Sequence, residues 1–233
     1  MKGMIRAVIF DLDGTLLIMK LKVKETKEKF IQRLREIGVN VDQIDLKIPT
    51  ENIVSEVIKK YGFSRDYLMK LVDEAYIPYE LEAAEAAELR DGMKEVLTEL
   101  KAMGFKLAVA SNSSKHGVHL ALKNTSIKEL FDVIVTRTDV NRMKPDGALI
   151  SETLRRLNVK PSEAIYIGDT THDILAARKV GVKSIAISGG AHSINLILNS
   201  KPDILIKDVK EIPKVLKRLM SRGRRSDEST HKT

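Results

Sequence analysis

From residue 90 onward, short apolar runs alternate with segments that have helical spacing. The apolar runs lie at 106–111, 133–136, 164–168, 183–188 and 204–206, and helices are predicted at 93–103, from 114, at 147–157, at 172–180 and at 210–220. A further buried strand is predicted at 6–13 (RAVIFDLD). Strands separated by helices of about ten residues indicate βαβ units. The sequence therefore predicts an α/β fold built on a doubly wound parallel sheet.

The segment between the first strand and residue 90 follows a different pattern. Apolar residues recur there at the 3.6-residue period of helices, for example at Phe30, Leu34 and Ile37, and we find no strand pattern. We therefore predict a core formed by residues 1–16 and 90–221, interrupted by an all-helical insertion over 17–89. Residues 222–233 lack apolar side chains, which predicts a disordered basic tail.

Composition excludes several classes of protein. The 233 residues include no cysteine, so disulfides and thiolate metal sites are absent. No apolar run approaches the ~18 residues of a membrane span, and Asp11 interrupts the N-terminal apolar run too early for a signal peptide. We therefore expect a cytoplasmic protein without a membrane partner. The net charge of +8 would suit nucleic acid, but aromatic residues make up only 4%, which argues against a stacking surface.

Polar side chains follow several of the predicted strands. Asp11 and Asp13 end the first strand, Ser111 and Asn112 end the next, and Asp169 follows the strand at 164–168. Lys144 stands in a loop before a helix. Ligands of doubly wound sheets bind beyond the carboxyl ends of the strands. We therefore expect these groups to form one site, although each alone could be a turn former or a helix cap.

The spacing of the carboxylates suits phosphoryl transfer. Asp11 and Asp13 stand at i and i+2, so both project the same way from extended chain. One could attack phosphorus while the other handles the proton of the leaving group. Asp169 and Asp173 stand at i and i+4, on one face of a helix that begins near Thr170. Carboxylate oxygens favour Mg²⁺, which together with a lysine would offset the charge of a phosphate.

Four segments, in this order, resemble the signatures of the haloacid dehalogenase (HAD) superfamily of aspartate-nucleophile phosphatases. They are Asp11-Leu12-Asp13-Gly14-Thr15, Ser111-Asn112, Lys144-Pro145 and Gly168-Asp169-Thr170-Thr171-His172-Asp173. The resemblance spans residues 5 to about 190, and the insertion is similar to the small helical cap of the phosphoglycolate phosphatase-like branch. It implies a Rossmann-like core and an enzyme that hydrolyses a small phosphorylated metabolite.

The resemblance also implies the role of each residue. Asp11 would be the nucleophile that forms an aspartyl-phosphate, and Asp13 the general acid and base. Mg²⁺ would bind the Asp11 carboxylate, the Asp13 carbonyl and Asp169, with Asp173 beside these ligands and not bound to the metal directly. The phosphoryl group would be bound by Ser111, Asn112 and Lys144.

The sequence departs from the family pattern at two places without losing a catalytic group. Asp146-Gly147 follows Lys144-Pro145 where many relatives have a second proline, and Arg90-Asp91-Gly92 stands where relatives often have proline before glycine.

Other functions remain open at the level of the sequence. A phosphosugar mutase would use the same core, and a phospho-Asp switch like a response-regulator receiver would share the acidic pocket. Receivers, however, have no helical insertion near the first strand. No G-x-G-x-x-G follows the first strand, which disfavours dinucleotide binding. Both a monomer and a homodimer are compatible with the sequence. Substrate choice is expected to depend on the cap, with candidates at Met19, Lys20, Lys22, Tyr76 and Tyr79.

Overall fold

The computed structural model describes residues 4–228, with side chains described through Ser221. The strands are β1 (Ala7–Phe10), β2 (Leu17–Ile18), β3 (Glu88–Leu89), β4 (Lys106–Ser111), β5 (Val133–Thr136), β6 (Ala164–Gly168), β7 (Lys183–Ile187) and β8 (Ile204–Ile206). Six of them form a parallel sheet in the order β5-β4-β1-β6-β7-β8. The predicted α/β fold is thus confirmed.

Helices lie on both faces of the sheet and in the insertion. They are α1 (Val23–Glu36), α2 (Thr50–Tyr61), α3 (Arg65–Glu85), α4 (Met93–Ala102), α5 (Lys115–Asn124), α6 (Ala148–Leu157), α7 (Thr171–Lys179), α8 (Ile194–Asn199) and α9 (Ile212–Glu228). Short 3₁₀ turns occur at Lys128–Leu130, Arg137–Asp139, Pro161–Glu163 and Val209–Glu211. No helix among residues 4–228 is long and apolar enough to cross a lipid bilayer.

The central strand β1 is buried on both faces. Val8 and Phe10 pack into one apolar layer, and Ala7 and Ile9 pack into the layer on the opposite face. A strand covered on both sides must be apolar at every position, which explains the continuous run in the sequence. Since β4 and β6 pair with β1 from opposite sides, the connections diverge at β1, where ligands bind in sheets of this kind.

Helices α1, α2 and α3 form a separate apolar cluster with Phe30, Leu34, Val54 and Leu68 at its centre. We call this helical unit the cap. Ser64 caps α3 by accepting a hydrogen bond from the main-chain N–H of Tyr67 at 3.2 Å. The boundaries 1–16, 17–89 and 90–221 remain a prediction about domains.

Four elements differ from the sequence-based expectation. The ends of the insertion carry strands β2 and β3, which pair antiparallel over two residues, too short for an alternating pattern to be visible. Helix α8 was not predicted, since its Ile194, Leu196 and Leu198 are exposed while Ile197 is buried. Helix α9 continues to Glu228, past the helix end predicted at residue 220, and the disordered tail over 222–233 stays a prediction. No proline interrupts that stretch; residues 229–233 lie outside the described part.

Candidate active site

The site lies where β1, β4 and β6 end side by side. Asp11 directly follows β1, and its main-chain N–H donates to the Ile167 carbonyl at 2.9 Å. The residue is only 7% exposed. Burial raises the pKa of Asp11 well above its ordinary value, Lys144 lowers it in part, and the neighbouring carboxylates Asp173 and Asp169 raise it again.

Lys144 is the cation that compensates these carboxylates. Its Nζ donates to Asp11 Oδ1, to Asp173 Oδ1 at 2.7 Å, to the Tyr166 hydroxyl at 2.9 Å and to the Ala110 carbonyl at 3.2 Å. Burial lowers the pKa of Lys144, but the charges of Asp11 and Asp173 outweigh burial and hold the pKa well above its usual value. The lysine is therefore a permanent positive charge against the Asp11 side chain.

Asp169 is held from two directions after the end of β6. Its Oδ1 accepts from the Thr15 hydroxyl at 3.0 Å, and its Oδ2 accepts from the Ala191 main-chain N–H at 2.6 Å. Glycines lie against it: a Cβ atom would be 2.3 Å from Oδ2 at Gly14 and 2.1 Å from Oδ2 at Gly190. Burial, followed by the charge of Asp173, raises the pKa of Asp169.

Asp13 lies in the turn that leads from β1 toward the cap. Its Oδ1 accepts from the Met19 main-chain N–H at 3.0 Å. Burial raises the pKa of Asp13 to about 6, against a weaker opposing effect of that hydrogen bond. A carboxyl group with such a pKa exchanges protons readily near neutral pH, which is what a general acid and base requires.

Ser111 and Asn112 lie at the end of β4. The Ser111 hydroxyl accepts from the Ser113 main-chain N–H at 3.2 Å. The Asn112 side chain accepts from the Lys144 main-chain N–H at 2.8 Å and donates to the Lys144 carbonyl at 3.1 Å. Asn112 thus joins its own loop to the loop of the lysine, a contact that the sequence did not predict.

Asp173 is the N3 residue of a capping box in the first turn of α7. Its Oδ2 accepts from the Thr170 hydroxyl at 2.6 Å and from the Thr170 main-chain N–H at 3.0 Å, while its Oδ1 faces Lys144. Burial raises the pKa of Asp173, but the charge of Lys144 and the hydrogen bonds from Lys144 and Thr170 outweigh burial and lower it. Asp173 is therefore an ionised neighbour of the nucleophile candidate.

The donor set fits a small divalent cation. One oxygen of each of Asp11, Asp169 and Asp173 lies within 4.8 Å of the others, and all three residues are buried. Hard carboxylate oxygens are the ligands that Mg²⁺ prefers. Lys144 is the ammonium group bonded to two of these three carboxyl groups, Asp11 and Asp173.

Sequence reasoning missed the contributions of Tyr166 and Arg137. The Tyr166 hydroxyl hydrogen-bonds to both Lys144 and Asp173. The sequence feature that could have indicated this role is the polar hydroxyl of Tyr166 within the otherwise apolar strand AIYIG. The Arg137 side chain is buried between the core and the cap, where a basic residue in a loop carries no local signal. Of the cap candidates, Tyr76 donates to or accepts from the Thr50 hydroxyl at 2.7 Å, and Lys22 pairs with Glu82 at 2.6 Å.

The sequence model of the haloacid dehalogenase-like hydrolases matches residues 8–187, which include every site residue predicted from the sequence. The chain belongs to this family. The family resemblance and the hydrolase class expected from the sequence are confirmed.

Individual relatives span nearly the whole chain. A protein named pyrophosphatase PpaX from Bacillus anthracis is 30% identical over 224 residues, which cover 91% of this chain and 96% of the relative. Among solved structures, a HAD phosphatase from Thermococcus onnurineus is 28% identical with a TM-score of 0.59, covering 91% of this chain and 98% of that one. A β-phosphoglucomutase from Clostridium difficile has a TM-score of 0.67 over 94% of this chain and 100% of its own, but at 19% identity it shows the fold alone.

Proposed function

We propose that the protein is a Mg²⁺-dependent phosphatase that works through an aspartyl-phosphate on Asp11. The observation that carries the proposal is the buried Asp11 carboxylate, bonded to the Lys144 ammonium within a cluster of carboxylates. Such a carboxylate is fixed in orientation and shielded from water, as a nucleophile must be. A purely structural role would not explain why so many ionisable groups converge at the ends of the strands.

The chain's own residues divide the chemistry. An Asp11 oxygen forms a bond to phosphorus as the bond to the leaving oxygen breaks, and Asp13 gives that oxygen a proton. Asp13 then takes a proton from water, whose oxygen attacks phosphorus and releases inorganic phosphate from Asp11. Lys144, Ser111 and Asn112 bind the phosphoryl oxygens and offset charge in the transition state.

The metal would be held by Asp11 and Asp169 and by the Asp13 carbonyl, with Asp173 as a neighbour. When bound, Mg²⁺ supplies the positive charge that lets an anionic carboxylate approach an anionic phosphate. The proposal includes a cytoplasmic location, as expected from the sequence.

The substrate is proposed to be a small phosphate compound, either a phosphorylated metabolite or inorganic pyrophosphate. Both present a terminal phosphoryl group to Asp11, and they differ only in the leaving group. Pyrophosphate is included because relatives 30% identical to this chain are named pyrophosphatases. The mutase alternative is not favoured, because the β-phosphoglucomutase is similar to this chain in fold alone.

The test is release of inorganic phosphate from p-nitrophenyl phosphate, pyrophosphate and a panel of phosphorylated metabolites, with Mg²⁺ or with EDTA. We expect release that needs the metal and is abolished in Asp11→Asn. The matched control is Asp42→Asn, which changes an exposed carboxylate of the cap and should leave the rate unchanged. A wild-type protein that releases no phosphate, or an Asp11→Asn variant as active as wild type, would refute the proposal. A stable phospho-protein without turnover would favour the switch.

A further inference from the structure

Two carboxylates of the cap, Glu51 and Glu80, are buried at 5% and 2% exposure. Acidic side chains are almost never this buried unless they are paired. Glu51 lies in the first turn of α2 and Glu80 in α3, far apart in sequence from the core loops of the site. Both nevertheless bond to the main chain of those loops.

Glu51 bonds the loop that precedes Lys144. Its Oε2 accepts from the Met143 main-chain N–H at 3.0 Å. Arg65 of α3 holds the same carboxylate in bidentate fashion, at 2.9 and 3.1 Å, and also donates to the Asn141 carbonyl at 2.9 Å. The Glu51–Arg65 pair thus supplies both an acceptor and a donor to the same loop. Because the ion pair is bidentate, its two side chains hold each other in a fixed orientation.

Glu80 makes the corresponding contact to the loop that follows β4. Its Oε2 accepts from the Ser114 main-chain N–H at 3.0 Å, and its Oε1 accepts from Arg137. Arg137 in turn donates to the Asn112 carbonyl at 3.1 Å and to Asp73 of α3 at 2.9 Å. The Nη2 atom of Arg137 is buried without a hydrogen-bond partner among the described residues. The carboxylates of Glu80 and Asp73 therefore compensate the buried charge of this guanidinium.

The two contacts are joined through the core. The Asn112 side chain makes two hydrogen bonds with the main chain of Lys144. The loop that Glu80 contacts is therefore hydrogen-bonded to the loop that Glu51 contacts. Each of these loops carries a residue assigned to the phosphoryl group. We call Glu51, Arg65, Glu80 and Arg137 the cap clamp.

We propose that Glu51 and Glu80 are positioning residues: when the cap is seated, they fix the loop main chain and so set where Lys144 and Asn112 stand. The inference rests on the proposed function. It makes the cap part of the catalytic arrangement, because lifting the cap would remove acceptors from two main-chain N–H groups and partners from two arginines. Seating the cap and ordering the phosphoryl-binding loops then occur together.

The test compares Glu51→Ala, Glu51→Gln and Glu80→Gln with wild type. The control is Glu74→Ala, which removes an exposed α3 carboxylate that faces Arg33 within the cap. Measurements are kcat and KM for phosphate release, the melting temperature, and amide hydrogen exchange of segments 111–116 and 141–146. Glutamine keeps an oxygen that can accept from the loop, so Glu51→Gln should recover part of what Glu51→Ala loses.

For Glu51→Ala we expect a fall in kcat of about 10- to 100-fold, the range for small misplacements of reacting groups, with a smaller change in KM. Exchange should rise about tenfold in both segments, because the main-chain N–H groups lose a buried acceptor that keeps them closed. Glu80→Gln should affect the same two segments, and Glu74→Ala neither.

Exchange that rises only at 141–146, together with kcat within twofold of wild type, would overturn the proposal. If Glu51→Ala does not fold, the hydrogen exchange and kcat of Glu51→Gln and Glu80→Gln test the proposal in the same way. If wild type releases no phosphate, the proposed function fails, while the exchange of the two segments still decides the clamp.

Discussion

Replacing Gly190 with alanine tests how closely the chain must approach Asp169. Alanine suits the backbone at this position, because Gly190 is not among the residues with positive φ. Its Cβ, however, would lie 2.1 Å from Asp169 Oδ2 and 2.4 Å from Asp169 Cβ, well inside the 3.4 Å at which ordinary contacts begin. Either the loop or the carboxylate must therefore move by about 1 Å.

The movement would break the 2.6 Å hydrogen bond from the Ala191 N–H to Asp169. A hydrogen bond to a charged group contributes about 1.5–3 kcal/mol. At 1.36 kcal/mol for each factor of ten, loss of this bond predicts a fall of about 10- to 150-fold in kcat/KM if Asp169 must hold its place in the transition state. We also expect a higher Mg²⁺ concentration at half-maximal rate.

The assay is the initial rate of phosphate release over a series of Mg²⁺ concentrations, with the melting temperature as a check on folding. Ser193→Ala is the control in the same loop, because the Ser193 side chain makes no capping hydrogen bond. A Gly190→Ala variant with kcat/KM within twofold of wild type and an unchanged Mg²⁺ dependence would refute the reasoning.

Two further substitutions test the surroundings of the site. Tyr166→Phe removes the hydroxyl that hydrogen-bonds to Lys144 at 2.9 Å and leaves the ring in place. We expect kcat to fall about tenfold with little change in melting temperature. An unchanged kcat would show that Lys144 does not need this hydrogen bond. Arg90→Met removes the guanidinium that joins the Gly14 carbonyl to the Ser188 carbonyl. We expect a fall in the free energy of unfolding of about 1–3 kcal/mol and a lower kcat, measured by urea denaturation and phosphate release; equal stability of variant and wild type would contradict this.

The sequence predicted the strands of the core because each is a short apolar run between helical segments, and the runs of β1 and β6 are buried at every position. It failed where that signal is absent. Strands β2 and β3 are two residues long, and α8 buries only Ile197 in its apolar cluster, so neither gives a recognisable period. Helix α9 extends past the predicted end at residue 220, where the polar residues give no apolar period although they are compatible with a helix.

In the site, the strand ends identified the carboxylates because parallel strands bring their carboxyl ends to one edge. Tyr166 was missed because a tyrosine in a buried strand reads equally well as packing. The contact from Glu51 to Met143 joins residues 92 positions apart, and no local pattern encodes it. Contacts between the cap and the core join residues that are far apart in the chain, and no local sequence pattern predicts such pairs.

The pairing of Leu17 with Leu89 brings the start and the end of the insertion side by side. A segment whose two ends meet can be lengthened, shortened or exchanged without interrupting the strands of the sheet. Evolution can thus treat this part of the gene as an exchangeable module, and selection for a new leaving group need not disturb the residues that handle phosphorus. Exchange is limited by the clamp: any replacement must again offer acceptors at Met143 and Ser114. Transplanted modules that lack them would recognise a new compound yet turn it over slowly.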